Sequence, residues 1–192
     1  MRTLILRITI ACILAASALN GVARAQTPPS LVGAMSAVAL DRLASVEAAG
    51  AQLAEGDYDF KPAPGARSFG ELVAHVADTN RAFCSAIAGA REPIGTEVER
   101  TVHAKAAIVT ALKASTTLCQ KALATLTDAT LPAPRAFGGG ALIDGTQIPV
   151  RDMPAGLLVM LLASHTEREY GKLTLYLRTK GQVPPTSRPR GR

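Results

Sequence analysis

The run Ser68-Phe69-Gly70-Glu71-Leu72-Val73-Ala74-His75-Val76-Ala77-Asp78-Thr79-Asn80 holds both a well-signalled helix start and an informative histidine. Ser68 followed three residues later by Glu71 is a capping box, in which the hydroxyl and the carboxylate each satisfy a backbone amide that the first helical turn leaves unpaired. From that start Leu72, Val76, Thr79, Phe83 and Ile87 recur at the spacing of one helical face. His75 falls between Leu72 and Thr79 on the same face, so its imidazole points toward a core. Gly89, Pro93 and Gly95 end the segment.

Working outward, three further helices can be read. The first spans Pro29 to Leu53, with Leu31, Met35, Val38, Leu43 and Val46 as its buried stripe. A Gly- and Pro-rich loop, Gly56 to Gly65, separates it from the second. Thr96-Glu97-Val98-Glu99 has the form of another capping box and opens a third helix that runs to about Leu126, with Val102, Ile108, Val109, Leu112, Leu118 and Leu123 as its core face. Between Thr130 and Arg151 the prolines, the Gly138-Gly139-Gly140 run and Asp144-Gly145 are turn chemistry, and the Asp-Gly pair suits the tip of a small hairpin. The fourth helix runs from Met153 to Thr179 and stops at Gly181 and Pro184-Pro185. The expected fold is all-α, an up-down four-helix bundle with a long connection before the last helix.

The N-terminus reads as a leader. Arg2 and Arg7 precede an apolar stretch from Ile8 to Leu19, and Ala23-Arg24-Ala25 supplies the small residues of a cleavage site before Gln26. The stretch is well short of the roughly 20 residues that span a bilayer. The expected division is therefore a signal peptide at 1–25, a single bundle domain at 26–185 and a disordered tail at 186–192, with the mature protein in the periplasm or secreted. The whole chain has 21 Lys plus Arg against 15 Asp plus Glu; losing Arg2, Arg7 and Arg24 leaves 18 against 15, a net charge of +3. No basic face is interleaved with aromatics, so nucleic-acid binding is not supported. Nor is a membrane role expected beyond the signal peptide. Cys84 and Cys119 remain after cleavage; outside the cytoplasm such a pair favours a disulfide, the alternative being two small buried apolar residues.

Three histidines remain as well. His103 sits among polar neighbours and reads as a surface residue. His165 follows Leu158, Leu161 and Leu162 on the inner face of the fourth helix, and Glu169 comes four residues later, so the two side chains project side by side about 6 Å apart. A buried imidazole needs a partner, and a metal, a carboxylate or a water would each supply one. His75, His165 and Glu169 together suit Zn²⁺ with an open position or a non-haem Fe²⁺. A buried His–Glu hydrogen bond is the plainer alternative. Asp78 is a candidate to orient His75, though its spacing also fits a helix surface, and Glu167 and Arg168 read as solvent-facing.

The stretch Tyr58-x-Phe-Lys-Pro-x-Pro-Gly-x-Arg-Ser-Phe-Gly-Glu-Leu-Val-x-His75, followed by Val-Ala-Asp-Thr-Asn80, resembles the DinB/YfiT-like family and in particular its exported branch. The second matching stretch, Ser164 to Pro185, includes Tyr170-Gly171-Lys172-Leu173, Tyr176-Leu177-Arg178 and Lys180-Gly181-Gln182-Val183-Pro184-Pro185. The resemblance covers nearly all of the mature chain. It implies a four-helix bundle, often dimeric, with a divalent metal (Zn, Ni, Mn or Fe) held by three histidines, one on the second helix and two in an H-x-x-x-H on the fourth. His75 and His165 match the first two; Glu169 stands where the third histidine belongs. A cysteine pair like Cys84 and Cys119 is typical of the exported branch, which implies a bridge. Characterised relatives include thiol transferases and isomerases that use low-molecular-weight thiols, which are scarce outside the cytoplasm. Two functions follow: a metal-dependent hydrolase or thiol-type transferase acting on a small molecule, or a non-catalytic bundle (small-ligand binding or stress-related) whose family metal site has decayed. Exported protein should begin at Gln26 by mass spectrometry; a protein that keeps Met1 rejects the leader.

Overall fold

The computed structural model describes residues 30–188; the expected leader and the last four residues of the tail lie outside them. The elements are α1 (Leu31–Gly50), α2 (Phe69–Ile87), a short α3 (Glu97–Thr101), α4 (Lys105–Ala124), β1 (Pro134–Phe137), β2 (Arg151–Pro154) and α5 (Ala155–Thr179). The four long helices form the expected four-helix bundle. Both bonds of the capping box at Ser68 are made, at 3.1 Å from the Glu71 amide and 2.6 Å to the Glu71 carboxylate, and the α2 face read from sequence is buried throughout.

The helices pack with α2 against α4 and α5, and α1 against α5 and α4, so α1 and α2 face each other across the diagonal. One apolar cluster joins the end of α1 to the starts of α2 and α4 and the end of α5, around Phe69, Leu72, Leu112 and Leu173. The second joins the opposite ends, around Leu43, Ile87, Leu123 and Leu158. α2 and α4 therefore run in the same sense, as do α1 and α5, and the alternation is broken once. The connection from Ala88 to Ala104 permits this by carrying the chain back along the bundle before α4 begins.

That connection is where the sequence reading needs correction. The third helix is not continuous from Thr96: α3 ends at Thr101, and Val102 is extended (φ −113°, ψ 117°) before α4 starts at Lys105. Thr96 makes no side-chain cap. The buried Asp78 carboxylate caps α3 instead, accepting from the amides of Val98 at 3.2 Å and Glu99 at 3.0 Å. The break lets Glu99 turn toward α2 while Ile108 and Leu112 still reach the core. Asp78 is thus not a helix-surface residue. His103 lies at the break and is exposed, as read.

The buried stripe of α1 also differs. Leu31 and Val38 are exposed, and Ala39, Leu43, Val46 and Ala49 face the core. Small residues win this face because α1 approaches closely: a side chain on Gly50 would crowd Val73 and Leu112. Thr186 and Ser187, assigned to a loose tail, are tied back by Tyr170 (Oη to Thr186 Oγ1, 2.9 Å) and Arg178 (3.3 Å to Ser187 Oγ).

The hairpin forms as read. β1 and β2 pair antiparallel with Phe137 opposite Arg151, and Asp144-Gly145 makes the tip, where Gly145 has φ +86°. β2 continues through Pro154, so α5 starts at Ala155, two residues later than the pattern suggested. The glycine run is needed here. Gly138 and Gly140 have positive φ, and a Cβ on either would collide with the carbonyl oxygens of Pro149 and Ile94. Ile94 and Gly140 form a bridge that ties the hairpin to the α2–α3 connection.

Cys84 and Cys119 are joined in a disulfide with Cα atoms 4.9 Å apart, fully buried between α2 and α4. The bridge closes a loop of sequence separation 35, for which chain entropy gives roughly 4 kcal/mol of stabilisation. The Cys84→Ala/Cys119→Ala protein should unfold in denaturant with a stability about 3–4 kcal/mol lower. A change within about 0.5 kcal/mol would show that packing, not the crosslink, carries this contact.

Candidate metal centre

The site is assembled from α2 and α5, which run in opposite senses, so the early part of one lies beside the later part of the other. His75 projects from α2; His165 and Glu169 project from successive turns of α5. One ligand atom from each lies within 4.8 Å of the others, and the two imidazole centroids are 5.3 Å apart. The imidazoles keep only 11% side-chain exposure each and the Glu169 side chain 1%. The sequence reading therefore brought together residues that do converge in space.

His75 is held from behind. Its Nδ1 lies 3.1 Å from Glu99 Oε2, so the Nδ1 proton is donated to the carboxylate and the lone pair is left on Nε2. Glu99 has no exposed side-chain surface, and its other oxygen accepts from Arg67 Nε at 2.5 Å. Burial alone would raise the Glu99 carboxyl, but hydrogen bonds from His75 and Arg67 outweigh it and hold the group below the ordinary carboxylate range. Behind Glu99 stands Asp78, whose carboxylate fixes the α3 backbone at Val98 and Glu99. Asp78 thus acts on His75 one step removed, through the backbone that carries Glu99.

His165 differs from His75. Its Nδ1 is buried with no hydrogen-bond partner among the described residues, and its Nε2 lies 3.8 Å from Glu169 Oε1, beyond hydrogen-bond range. Burial pushes its pKa down to about 4, against the opposing pull of Glu169. A neutral buried imidazole with an unpartnered nitrogen costs on the order of 1–3 kcal/mol. It is also the protonation state that a cation requires of a histidine ligand. On that observation the donor set fits a divalent metal. Glu169 is anionic: burial would raise it, but Lys172 (2.8 Å to Oε2) and Arg168 (3.0 Å to Oε1) hold it below the ordinary carboxylate range. Glu167 is solvent-facing as read and pairs with Arg42 at 2.8 Å; Arg168 is exposed but folds back onto Glu169.

These donors line a cavity of about 510 Å³. Phe83 and Phe137 form one wall, stacked at 4.7 Å and 14°, and Leu142, Ile143 and Asp144 of the hairpin tip form another. Arg67, Arg168 and Lys172 also line it. Arg67 and Glu99 escaped the sequence reading. Glu99 sits three residues after a threonine, so locally it reads as the partner in a cap, and nothing in the spacing shows that Asp78 caps the helix and frees it.

The DinB superfamily model matches residues 40–171, more than half of the chain. This chain belongs to the DinB superfamily. Its structure is similar to that of a DinB-like protein from Bacillus cereus (TM-score 0.63, 19% identity, covering 83% of this chain and 98% of that one). It is similar also to the DinB-like YjoA of Bacillus subtilis (TM-score 0.60, 19% identity, 82% and 99%). A third similar structure is YfiT of Bacillus subtilis, described as a probable metal-dependent hydrolase with an unusual four-helix bundle topology (TM-score 0.57, 17% identity, 83% and 93%). No curated protein matches the chain significantly. As a DinB superfamily member, this protein carries glutamate where the resemblance led us to expect a third histidine.

His165, Glu99 and Glu169 push stability in one direction, whereas burial raises Asp78 and sets it against them. Unfolded His165 takes a proton near its ordinary pKa of about 6.5, and folded His165 only at about 4, so its contribution is complete above 6.5 and is lost as pH falls toward 4. Glu99 and Glu169, also depressed, add to the loss as pH falls through their folded values. Metal-free protein should melt at progressively lower temperature from pH 6.5 to 4, and His165→Phe should flatten the upper part of that fall. An unchanged slope in His165→Phe would remove this histidine as the cause.

Proposed function

We propose that this DinB superfamily protein is an exported metal-dependent enzyme, holding one divalent cation on His75, His165 and Glu169 and hydrolysing a small molecule in the adjoining cavity. The observation that carries the reading is the convergence of one ligand atom each from His75, His165 and Glu169 within 4.8 Å of one another, on side chains that are nearly or fully buried. The description of YfiT as a probable metal-dependent hydrolase supports it. His75, His165 and Glu169 would hold the cation (zinc, nickel, manganese or iron), which when bound would supply Lewis acidity.

The protein's own residues do the rest. Glu99 fixes the orientation of the His75 ring, as carboxylate partners of ligating histidines do. Glu169 brings a negative charge that three imidazoles would not. The Phe83–Phe137 wall and the hairpin tip shield one side of the site from water. Hydrolysis is preferred to thiol transfer because the leader-like N-terminus and the Cys84–Cys119 bridge suit an oxidising compartment, where reduced low-molecular-weight thiols are scarce.

A second reading rests on Glu169 itself. Arg168 and Lys172 already neutralise it, as would be expected if two cationic side chains had replaced the metal and left a small-ligand-binding or stress-related bundle. Metal analysis of untagged protein separates the two. Near-stoichiometric metal, with a melting temperature that drops on chelation, is expected; a ligand at 100 times its Kd stabilises by about 2.7 kcal/mol. Glu169→His should keep or tighten metal binding and Glu169→Ala should weaken it at least tenfold. No uptake and an unchanged melt with added Zn²⁺, Ni²⁺ or Mn²⁺ would establish the second reading.

A further inference from the structure

The geometry points to an anionic ligand: the cavity beside the three donors is built to take a small molecule with an apolar body and one carboxylate or phosphate group, recognised by Arg168. The inference rests on the metal reading above and adds to it the charge and shape of what is bound. Arg67, Arg168 and Lys172 line the cavity, against Glu169 and Asp144, and Glu99 lies just behind His75. Three cations meet three carboxylates, so without a metal the charges balance. A divalent cation on the donors leaves an excess of about two positive charges in a cavity that is partly closed by apolar walls. Excess charge of that kind in a low-dielectric surrounding favours an anionic ligand.

Arg168 is the side chain best placed to meet it. Its Nε donates to Glu169 Oε1, the same oxygen that lies 3.8 Å from His165 Nε2 and so faces the other donors. Lys172 is bonded to the opposite oxygen, Oε2. A cation held by the three donors would compete with Arg168 for Glu169, whose other oxygen stays bonded to Lys172. The Arg168 side chain is 65% exposed, so it can swing off Glu169 at little cost in packing. Its guanidinium then faces the cavity with a planar set of donors that fits carboxylate or phosphate oxygens in pairs. Arg67, by contrast, stays engaged with the fully buried Glu99.

The remainder of the cavity fixes the other half of the ligand. The Phe83 and Phe137 rings, with Leu142 and Ile143 on the hairpin tip, offer apolar surface in the same cavity. A volume of about 510 Å³ accommodates a metabolite-sized molecule. The two halves together describe an aryl or alkyl group carrying one anionic head.

The test is calorimetric titration of the full mature protein, zinc-loaded and zinc-free, with phenylacetate, phenyl phosphate and neutral phenylacetamide, in wild type and Arg168→Ala, with zinc content measured in every sample. We expect at least one anionic probe to bind the zinc-loaded wild type tenfold or more tightly than the amide, and tenfold or more tightly than it binds the zinc-free protein. Arg168→Ala should lose that preference at unchanged zinc content, and Arg168→Lys should recover part of it. The tighter of the two anions identifies carboxylate or phosphate as the head group. Equal binding of amide and anions by zinc-loaded protein, or an Arg168→Ala variant that keeps the preference, overturns the anion site while leaving the metal reading intact. A protein that retains no zinc overturns both, and the zinc analysis distinguishes that case.

Discussion

A carboxylate with no solvent-exposed surface organises the working end of this bundle. Glu99 is buried as an anion, and a buried charge persists only where its hydrogen bonds are complete. His75 and Arg67 complete them. The requirement reaches in two directions. Toward the cavity, it fixes which nitrogen of His75 carries the proton and which faces the other donors. Toward the backbone, it needs α3 held in one place, and the Asp78 carboxylate does so by accepting from two of that helix's first amides. Removing any one member leaves another buried polar group unpaired, so the set acts as a unit.

The rest of the fold serves to bring that unit opposite α5. Two apolar clusters occupy the two ends of the bundle, and the polar residues of the site lie on α2 and α5 along the seam between them. The parallel sense of α2 and α4 follows from the long return through α3, and the buried Cys84–Cys119 bridge ties these two helices together near their later turns. The hairpin is positioned by backbone contact that only glycine allows: Gly138 and Gly140 approach the Pro149 and Ile94 carbonyls too closely for any side chain. That contact sets Leu142 and Ile143 over the cavity.

Much of this was legible residue by residue. The capping box at Ser68 announced α2, and the three-and-four spacing of Leu72, Val76, Phe83 and Ile87 announced its buried face. The same spacing on α5 put His165 and Glu169 side by side. Those signals are local, because capping and helical periodicity act within four residues. Glu99 shows where local reading stops. Its position after Thr96 satisfies a capping pattern, and the competing cap comes from Asp78, on a different helix. Leu31 and Val38 show the same limit: both are apolar at helical spacing, yet they are exposed while Ala39 and Ala49 join Leu43 and Val46 in the core.

The amino-acid sequence by itself determined the second and last helices, the hairpin tip and the inward-facing placement of His75, His165 and Glu169, since each rests on short-range backbone and side-chain chemistry. Only the tertiary structure decided that α2 and α4 run in the same sense, that the third helix breaks so that Glu99 can reach His75, and that Arg168 and Lys172 close around Glu169. Those outcomes depend on which distant groups compete for one buried carboxylate or one backbone amide, and such competition is settled by packing across the bundle rather than by spacing along the chain.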